Sequence, residues 1–218
     1  ITKYIEPLFG VYDVHGDKIK EGFLNIITKR LTPTEFYEST LSWAESKGTI
    51  TRDSTGEPIK YVANDPNTYT FTIMDHIRKG KEEKGQSMKK TIDRLSDYMV
   101  RLRDLLLYTF VPIVHMNRDS ANIHRLKLMG EMMHPNADSI KDTGNLREDC
   151  NAIIAVFDPN DAAYNLSRHF GTEIKERNGD PIYPHRRTAH ILINRNGGVG
   201  HTEFNFYGNV KHLEELNK

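Results

Sequence analysis

Absences set the first limits. The chain has one cysteine, one tryptophan and no net charge, with 30 Lys+Arg against 30 Asp+Glu in 218 residues. Cys150 has no partner for an internal disulfide, which favours a reducing compartment. No apolar run reaches the roughly 18 residues that cross a bilayer. No leader or lipidation motif opens the chain, so a cytoplasmic protein outside the membrane is expected. Neutrality excludes the bulk-basic type of nucleic-acid binder and leaves room for a local groove or ring. A starting Met is also missing: the chain begins at Ile1, as expected of a piece of something longer. What is present, 37% hydrophobic and 28% charged residues, suits one globular domain with a core of its own.

Punctuation divides the chain clearly. Thr32-Pro33-Thr34-Glu35 reads as a capping box with proline at the first helical position, and Gly48 is placed to end that helix. Residues 51–58 are turn-rich. Tyr69–Met74 is aromatic and β-branched, ends in Asp75-His76, and reads as a buried strand. Met88, Ile92, Leu95, Met99, Leu102 and Leu106 mark one face of the strongest helix. Val111–Val114 and Ala152–Phe157 are short apolar runs. Strand, helix, strand and a later strand predict a parallel α/β sheet covered on both faces. Toward the end, Ala189–Asn194 and Thr202–Tyr207 flank Asn196-Gly197, predicting a β-hairpin with Arg195 near its tip. The polar stretches 116–138 and 158–188 are too long for ordinary connections.

Few segments carry chemistry on their own. Asp75, at the carboxyl end of a strand, is placed either to hold Mg²⁺ for phosphoryl transfer or simply to cap the next turn. Gly80–Ser87 imitates a phosphate-binding loop, but Gln86 replaces the essential lysine and Glu82 and Glu83 oppose an anion, so it reads as a decoy. Basic residues exceed acidic ones between Arg78 and Arg103, which fits a phosphate-lining surface and a solvated helix face equally well. The ten histidines form no HxxxH or HxH pair and read as scattered surface or loop residues. A hairpin-tip Arg195 is either an ordinary turn residue or a guanidinium able to reach a neighbouring subunit's nucleotide.

Three blocks together resemble the RecA-type motor domain of DnaB-like replicative ring helicases, especially phage relatives. Tyr69–His76, the long helix and Val111-Pro112-Ile113-Val114-His115-Met116-Asn117-Arg118 are similar to the family's Walker B strand and sensor strand. Ser139–Ile154 resembles its DLRESG…EQDAD block. Ile193-Asn194-Arg195-Asn196-Gly197-Gly198-Val199-Gly200 through Phe206-Tyr207-Gly208 resembles its KxRNGxxG…FxG ending. The resemblance implies a RecA-like fold, mostly parallel and flanked by helices, with a C-terminal β-hairpin and an incomplete core. A helical segment at 1–64 would precede the distal part of the ATPase domain at 65–218.

By the same resemblance, Asp75 would be the Walker B aspartate acting on Mg²⁺, and Arg195 the arginine finger for an adjacent subunit. Asn117 or His115 would sense the γ-phosphate, and Lys141, Asp142 and Gly144 would lie on the DNA-contacting loop. ATP and Mg²⁺ are then the cofactors, provided an upstream P-loop completes the site. Single-stranded DNA and identical subunits in a ring are the partners, in bacterial host cytoplasm if the chain is phage-encoded. Two departures qualify this. Ile193 stands where the family usually has a lysine, and the family's P-loop and catalytic glutamate would lie before residue 1. The chain alone is therefore expected to be inactive. Its rivals are a degenerate, non-hydrolysing RecA-like module that binds DNA or a protein in a replisome or virion, and a split-gene product completed by another chain.

Overall fold

A computed structural model describes residues 10–12, 18–21, 24–115, 128–137, 140, 144–161 and 164–216. The chain divides into two units, Ile1–Leu31 and Thr32–Lys218. In the first unit, β1 (Gly10–Tyr12) pairs antiparallel with β2 (Lys18–Glu21).

The second unit opens with α1 (Pro33–Lys47). Its capping box forms as the sequence dictates. The Glu35 N–H donates to Thr32 Oγ1 at 3.2 Å, and the Thr32 N–H donates to Glu35 Oε2 at 2.9 Å. Phe36, Leu41 and Ala44 turn inward. A hairpin follows, β3 (Gly48–Arg52) with β4 (Pro58–Ala63), its turn held by Asp53. The turn-rich stretch is thus the tip of a two-stranded element whose strands the sequence did not announce.

The expected strand–helix–strand unit is present. β5 (Phe71–Met74) pairs in parallel with β6 (Thr109–Pro112), with α2 (Met88–Leu106) as the crossover between them. Ile92, Leu95, Met99, Leu102 and Leu106 are all buried on one helical face, and each contributes roughly 2 kcal/mol by leaving water. Phe36 of α1 meets Phe110 edge-on with ring centroids 6.1 Å apart, and Tyr37 packs on Tyr98 at 4.7 Å. Leu107 ends α2 at φ 58°, with its N–H on the Arg103 carbonyl.

The sheet departs from expectation in two ways. Among the described residues, parallel pairing is confined to β5 and β6. β7 (Ala152–Phe157) instead joins β10 (Arg186–Asn194), β11 (Gly200–Tyr207) and β12 (His212–Glu215) in an antiparallel sheet of order β12-β11-β10-β7. The cause lies in the connection between β7 and β10. Its described residues form no crossover helix, only the two-residue strands β8 (Arg168–His169) and β9 (Thr172–Glu173), and the chain returns antiparallel. The second departure concerns burial. Phe71 and Ile73 lie on the strand face away from the core and are 65% and 66% exposed. Ile154 and Val156 of β7 are exposed likewise. β5 and β7 are therefore covered on one face, not two.

The stretch 158–188 is more than a loop. Leu166 and Ile174 are buried there with Met133 and Phe157, and Met129 and Tyr164 pack against them. The C-terminal hairpin matches its expected place, pairing His190 with His201 and Ile191 with Gly200.

Candidate functional site

The carboxyl ends of the two parallel strands form the first part of the site. β5 delivers Asp75 and His76 just past its last pair, Met74 with Pro112, and β6 delivers His115 beside them. Backbone bonds weld the strand ends together. The Ile113 N–H donates to the Met74 carbonyl at 2.9 Å, and the Ile77 N–H donates to the Ile113 carbonyl at 3.0 Å. Ile77, fully buried, anchors the short 3₁₀ turn Ile77–Lys79 that follows. Asp75 and His115 are exposed, and the His76 ring meets the His115 ring edge-on with centroids 4.4 Å apart. Burial, then the neighbouring His115 and Lys79, hold the His76 imidazole below its ordinary value, so it is neutral at pH 7. Its Nδ1 is buried without a hydrogen-bond partner. Sequence reading gave His76 no role; its only signal was a polar residue directly after a strand-end aspartate.

A single exposed carboxylate suits Mg²⁺ in the way that cation is usually bound, by one or two carboxylates with water and substrate phosphate completing the shell. Asp75 fits as one such ligand. Among the described residues no group of three His, Cys, Asp or Glu is placed to hold a metal by itself.

Arg195 is the second part. It follows β10 at the hairpin tip and is exposed, but its guanidinium does not stand clear of its own chain. It donates to the carbonyl of Glu148, near the end of the short helix α3 (Gly144–Asp149). Its backbone N–H donates to the Asn151 carbonyl at 2.9 Å. Arg103 of α2 reaches the same segment from the other side, donating to Asn151 Oδ1 at 2.8 Å and to the Asp149 carbonyl at 3.2 Å. The Ser96 hydroxyl donates to Asp149 Oδ2 at 2.6 Å. Burial, reinforced by Asp149, raises the Cys150 thiol, while Arg195 and Arg103 oppose that rise. Cys150 at neutral pH is therefore a packed thiol, not a nucleophile.

The imitation phosphate loop has an ordinary structural use. Glu83 accepts the Thr34 N–H at 3.0 Å, the Thr34 hydroxyl at 2.6 Å and Arg94 Nη1 at 2.6 Å. The Thr34 hydroxyl does most to keep this carboxylate below its usual range. A carboxylate at the first turn of α1 also suits the helix dipole. Arg101 pairs with Glu57 at 3.2 Å, and Arg103 Nε with Asp104 at 2.8 Å. These three arginines of the basic run are therefore bound within the fold, which weakens its reading as a phosphate-lining surface.

The histidines require a correction. Far from being scattered at the surface, His169 and His190 are buried, and His190 stacks with His134 and with His201, both at 5.4 Å. Phe170 stacks on His201 at 4.3 Å. The sequence hid this because the rings come from widely separated segments. Burial, then the neighbouring histidines, push His190 down to about 4. In the same hairpin, Arg186 and Glu203 form a buried ion pair at 2.6 Å.

Of the residues singled out from sequence, Asp75 and His115 both lie just past the carboxyl ends of the paired strands β5 and β6. Gly144 opens the helix on which Arg195 rests. Asn117, Lys141 and Asp142 lie outside the described residues.

The fold thus joins a strand–helix–strand unit with an aspartate at its carboxyl edge to an antiparallel hairpin with an arginine at its tip. Comparison with solved structures makes this more particular. The chain has the fold of a DnaB-like replicative helicase, solved in a study of that helicase's interactions with primase, with a TM-score of 0.62 at 13% identity. The match covers 89% of this chain and 38% of that one. The chain is similar also to a second solved structure, an ATPase domain, with a TM-score of 0.60 at 10% identity over 93% of this chain and 55% of that one. It thus spans well under two thirds of either of those chains. By sequence alone it matches no protein-family model and no curated protein. No described helix is long and apolar enough to cross a membrane.

Proposed function

We propose that this chain is the distal part of an ATP-driven DNA helicase motor that works as a ring of identical subunits. The observation that carries the reading is the place of Asp75 at the carboxyl end of a parallel strand, within a fold shared with a DnaB-like helicase and an ATPase domain. Asp75 is the Walker B aspartate and helps to hold Mg²⁺, which polarises the transferring phosphate when bound. His115, edge-on to His76 beside it, or Asn117 senses the γ-phosphate. Lys141, Asp142 and Gly144 meet single-stranded DNA, and Arg195 serves the nucleotide of the next subunit in the ring.

The open surfaces support the incompleteness in this reading. Among the described residues β6 pairs only with β5, and β7 only with β10, so each leaves one edge unpaired. Phe71, Ile73, Ile154 and Val156 face outward without cover. Free edges and exposed apolar faces are what proteins normally hide. A segment bearing the P-loop is the natural cover.

The test compares the 218-residue chain with the same chain carrying its native upstream sequence. The longer protein hydrolyses ATP, and the shorter one does not. Turnover by the pure shorter chain, abolished by Asp75→Ala, overturns the reading. Two observations favour the rival, a degenerate module that binds without hydrolysis: Ile193 leaves Arg195 without a second cation beside it at the hairpin tip, and the Arg195 guanidinium is engaged within its own chain. Failure of both proteins to turn over ATP would support that rival.

A further inference from the structure

The bonds around residues 148–151 form a connected structure that the reading above does not use. α3 is only six residues, about 9 Å long. Its first residue, Gly144, belongs to the DNA loop in that reading. Its end is held from two sides. From α2 come Ser96, on the Asp149 carboxylate, and Arg103, on the Asp149 carbonyl and the Asn151 side chain. From the hairpin tip comes Arg195, with its guanidinium on the Glu148 carbonyl and its N–H on the Asn151 carbonyl. Cationic side chains suit the carbonyl end of a helix, where the backbone leaves unsatisfied acceptors and partial negative charge.

Arg103 is braced for the task. Asp104 accepts from its Nε at 2.8 Å, leaving Nη1 to bridge Asp149 and Asn151. α2 buries a full apolar face, so Arg103 reaches the segment from a rigid base. Asn151 joins the two sides: Arg103 holds it through its side chain and Arg195 through its carbonyl.

We infer that Arg103 is a positioning residue for Arg195: it fixes the Asp149–Asn151 segment, and that segment sets where the hairpin-tip guanidinium rests and from where it leaves to reach the neighbouring subunit. The inference rests on the proposed finger role of Arg195 and deepens it. Arg103 touches no nucleotide and acts only through the segment it holds. Movement at the start of α3 reaches the resting place of Arg195 within about two helical turns.

The experiment uses the protein with its native upstream sequence and compares Arg103→Met, Arg103→Lys, Arg195→Ala and the double variant Arg103→Met/Arg195→Ala. ATP hydrolysis is read as kcat and KM, and amide hydrogen exchange is followed at Arg195 and at Ala189. Arg103→Met is expected to lower kcat by about tenfold or more with KM nearly unchanged, since a finger misplaced by about 1 Å loses rate rather than binding. Arg103→Lys recovers part of that loss. In the Arg195→Ala background, Arg103→Met has no further effect. Exchange at the Arg195 amide speeds up in Arg103→Met, while Ala189, paired within the sheet, stays protected and reports an intact fold. A kcat within about twofold of the parent, or a loss that adds in full to that of Arg195→Ala, overturns the inference and leaves the finger standing. If Arg195→Ala itself hydrolyses normally, the finger role fails and the positioning role falls with it.

Discussion

Glu203→Gln should cost this fold several kcal/mol although the side chain barely changes size. Arg186 and Glu203 are buried on the β10–β11 hairpin, 2.6 Å apart, with side chains 8% and 10% exposed. The tip of that hairpin carries Arg195. Glutamine keeps the volume and removes the charge, leaving the Arg186 guanidinium buried beside a neutral amide. Breaking a buried pair from one side costs about 3–5 kcal/mol, because the surviving ion keeps its desolvation penalty. Arg186 already has a buried Nε without a partner, so little else takes up the charge. Tyr183, with its ring 5.6 Å from the guanidinium, offers only a weak cation–π contact. The expected loss is therefore about 3 kcal/mol. Replacing both partners, as Arg186→Met with Glu203→Leu, should lie much closer to the parent, because no unpaired ion remains. Urea unfolding followed by tryptophan fluorescence measures all three proteins. A Glu203→Gln loss below about 1 kcal/mol, or a double variant worse than the single, would refute the reasoning.

Leu102, fully buried on the inner face of α2, should cost about 2–5 kcal/mol when cut to alanine, read as a lower urea midpoint at unchanged slope. Thr32→Ala removes one half of a formed capping box and should cost about 1 kcal/mol in the same assay. His190 makes stability pH-dependent. Its imidazole is held at about 4 against an ordinary 6.5. The unfolded chain therefore takes up the proton first. The stability His190 contributes is complete above pH 6.5 and is lost as pH falls toward 4, by up to about 3 kcal/mol. His190→Gln should flatten that part of the pH–stability curve, and an unchanged curve would place the acid sensitivity elsewhere.

How much of this was legible in the residues depended on how local each signal was. The capping box at Thr32, the apolar stripe of α2 and the Asn-Gly hairpin turn are set within a few residues, and each formed where expected. The pairing of β7 was not local. An apolar run such as Ala152–Phe157 fits a parallel or an antiparallel neighbour equally well, and only the long connection to β10 decides it. Burial misled for the same reason: Phe71 and Ile73 look like core residues, but no described element covers their face. At the candidate site, Asp75 was singled out because it directly follows a strand, and His115 only through the family resemblance. Arg103 and Ser96 were not, since their partners at Asp149 and Asn151 lie far along the chain and meet them only in the fold. Glu83 reads in sequence only as an obstacle to phosphate; its bonds to Thr34 need three dimensions to see.

The central claim is that Asp75 and Arg195 belong to one catalytic site built by two neighbouring subunits. Mixing tests it most directly. In the protein carrying its upstream sequence, Asp75→Ala and Arg195→Ala should each reduce ATP hydrolysis on the order of 10³-fold. If the subunits assemble as proposed, a mixture contains interfaces at which an intact Asp75 faces an intact Arg195, so combining the two inactive proteins should restore measurable turnover. A mixture as inactive as either variant alone, from subunits shown to exchange, would contradict the account.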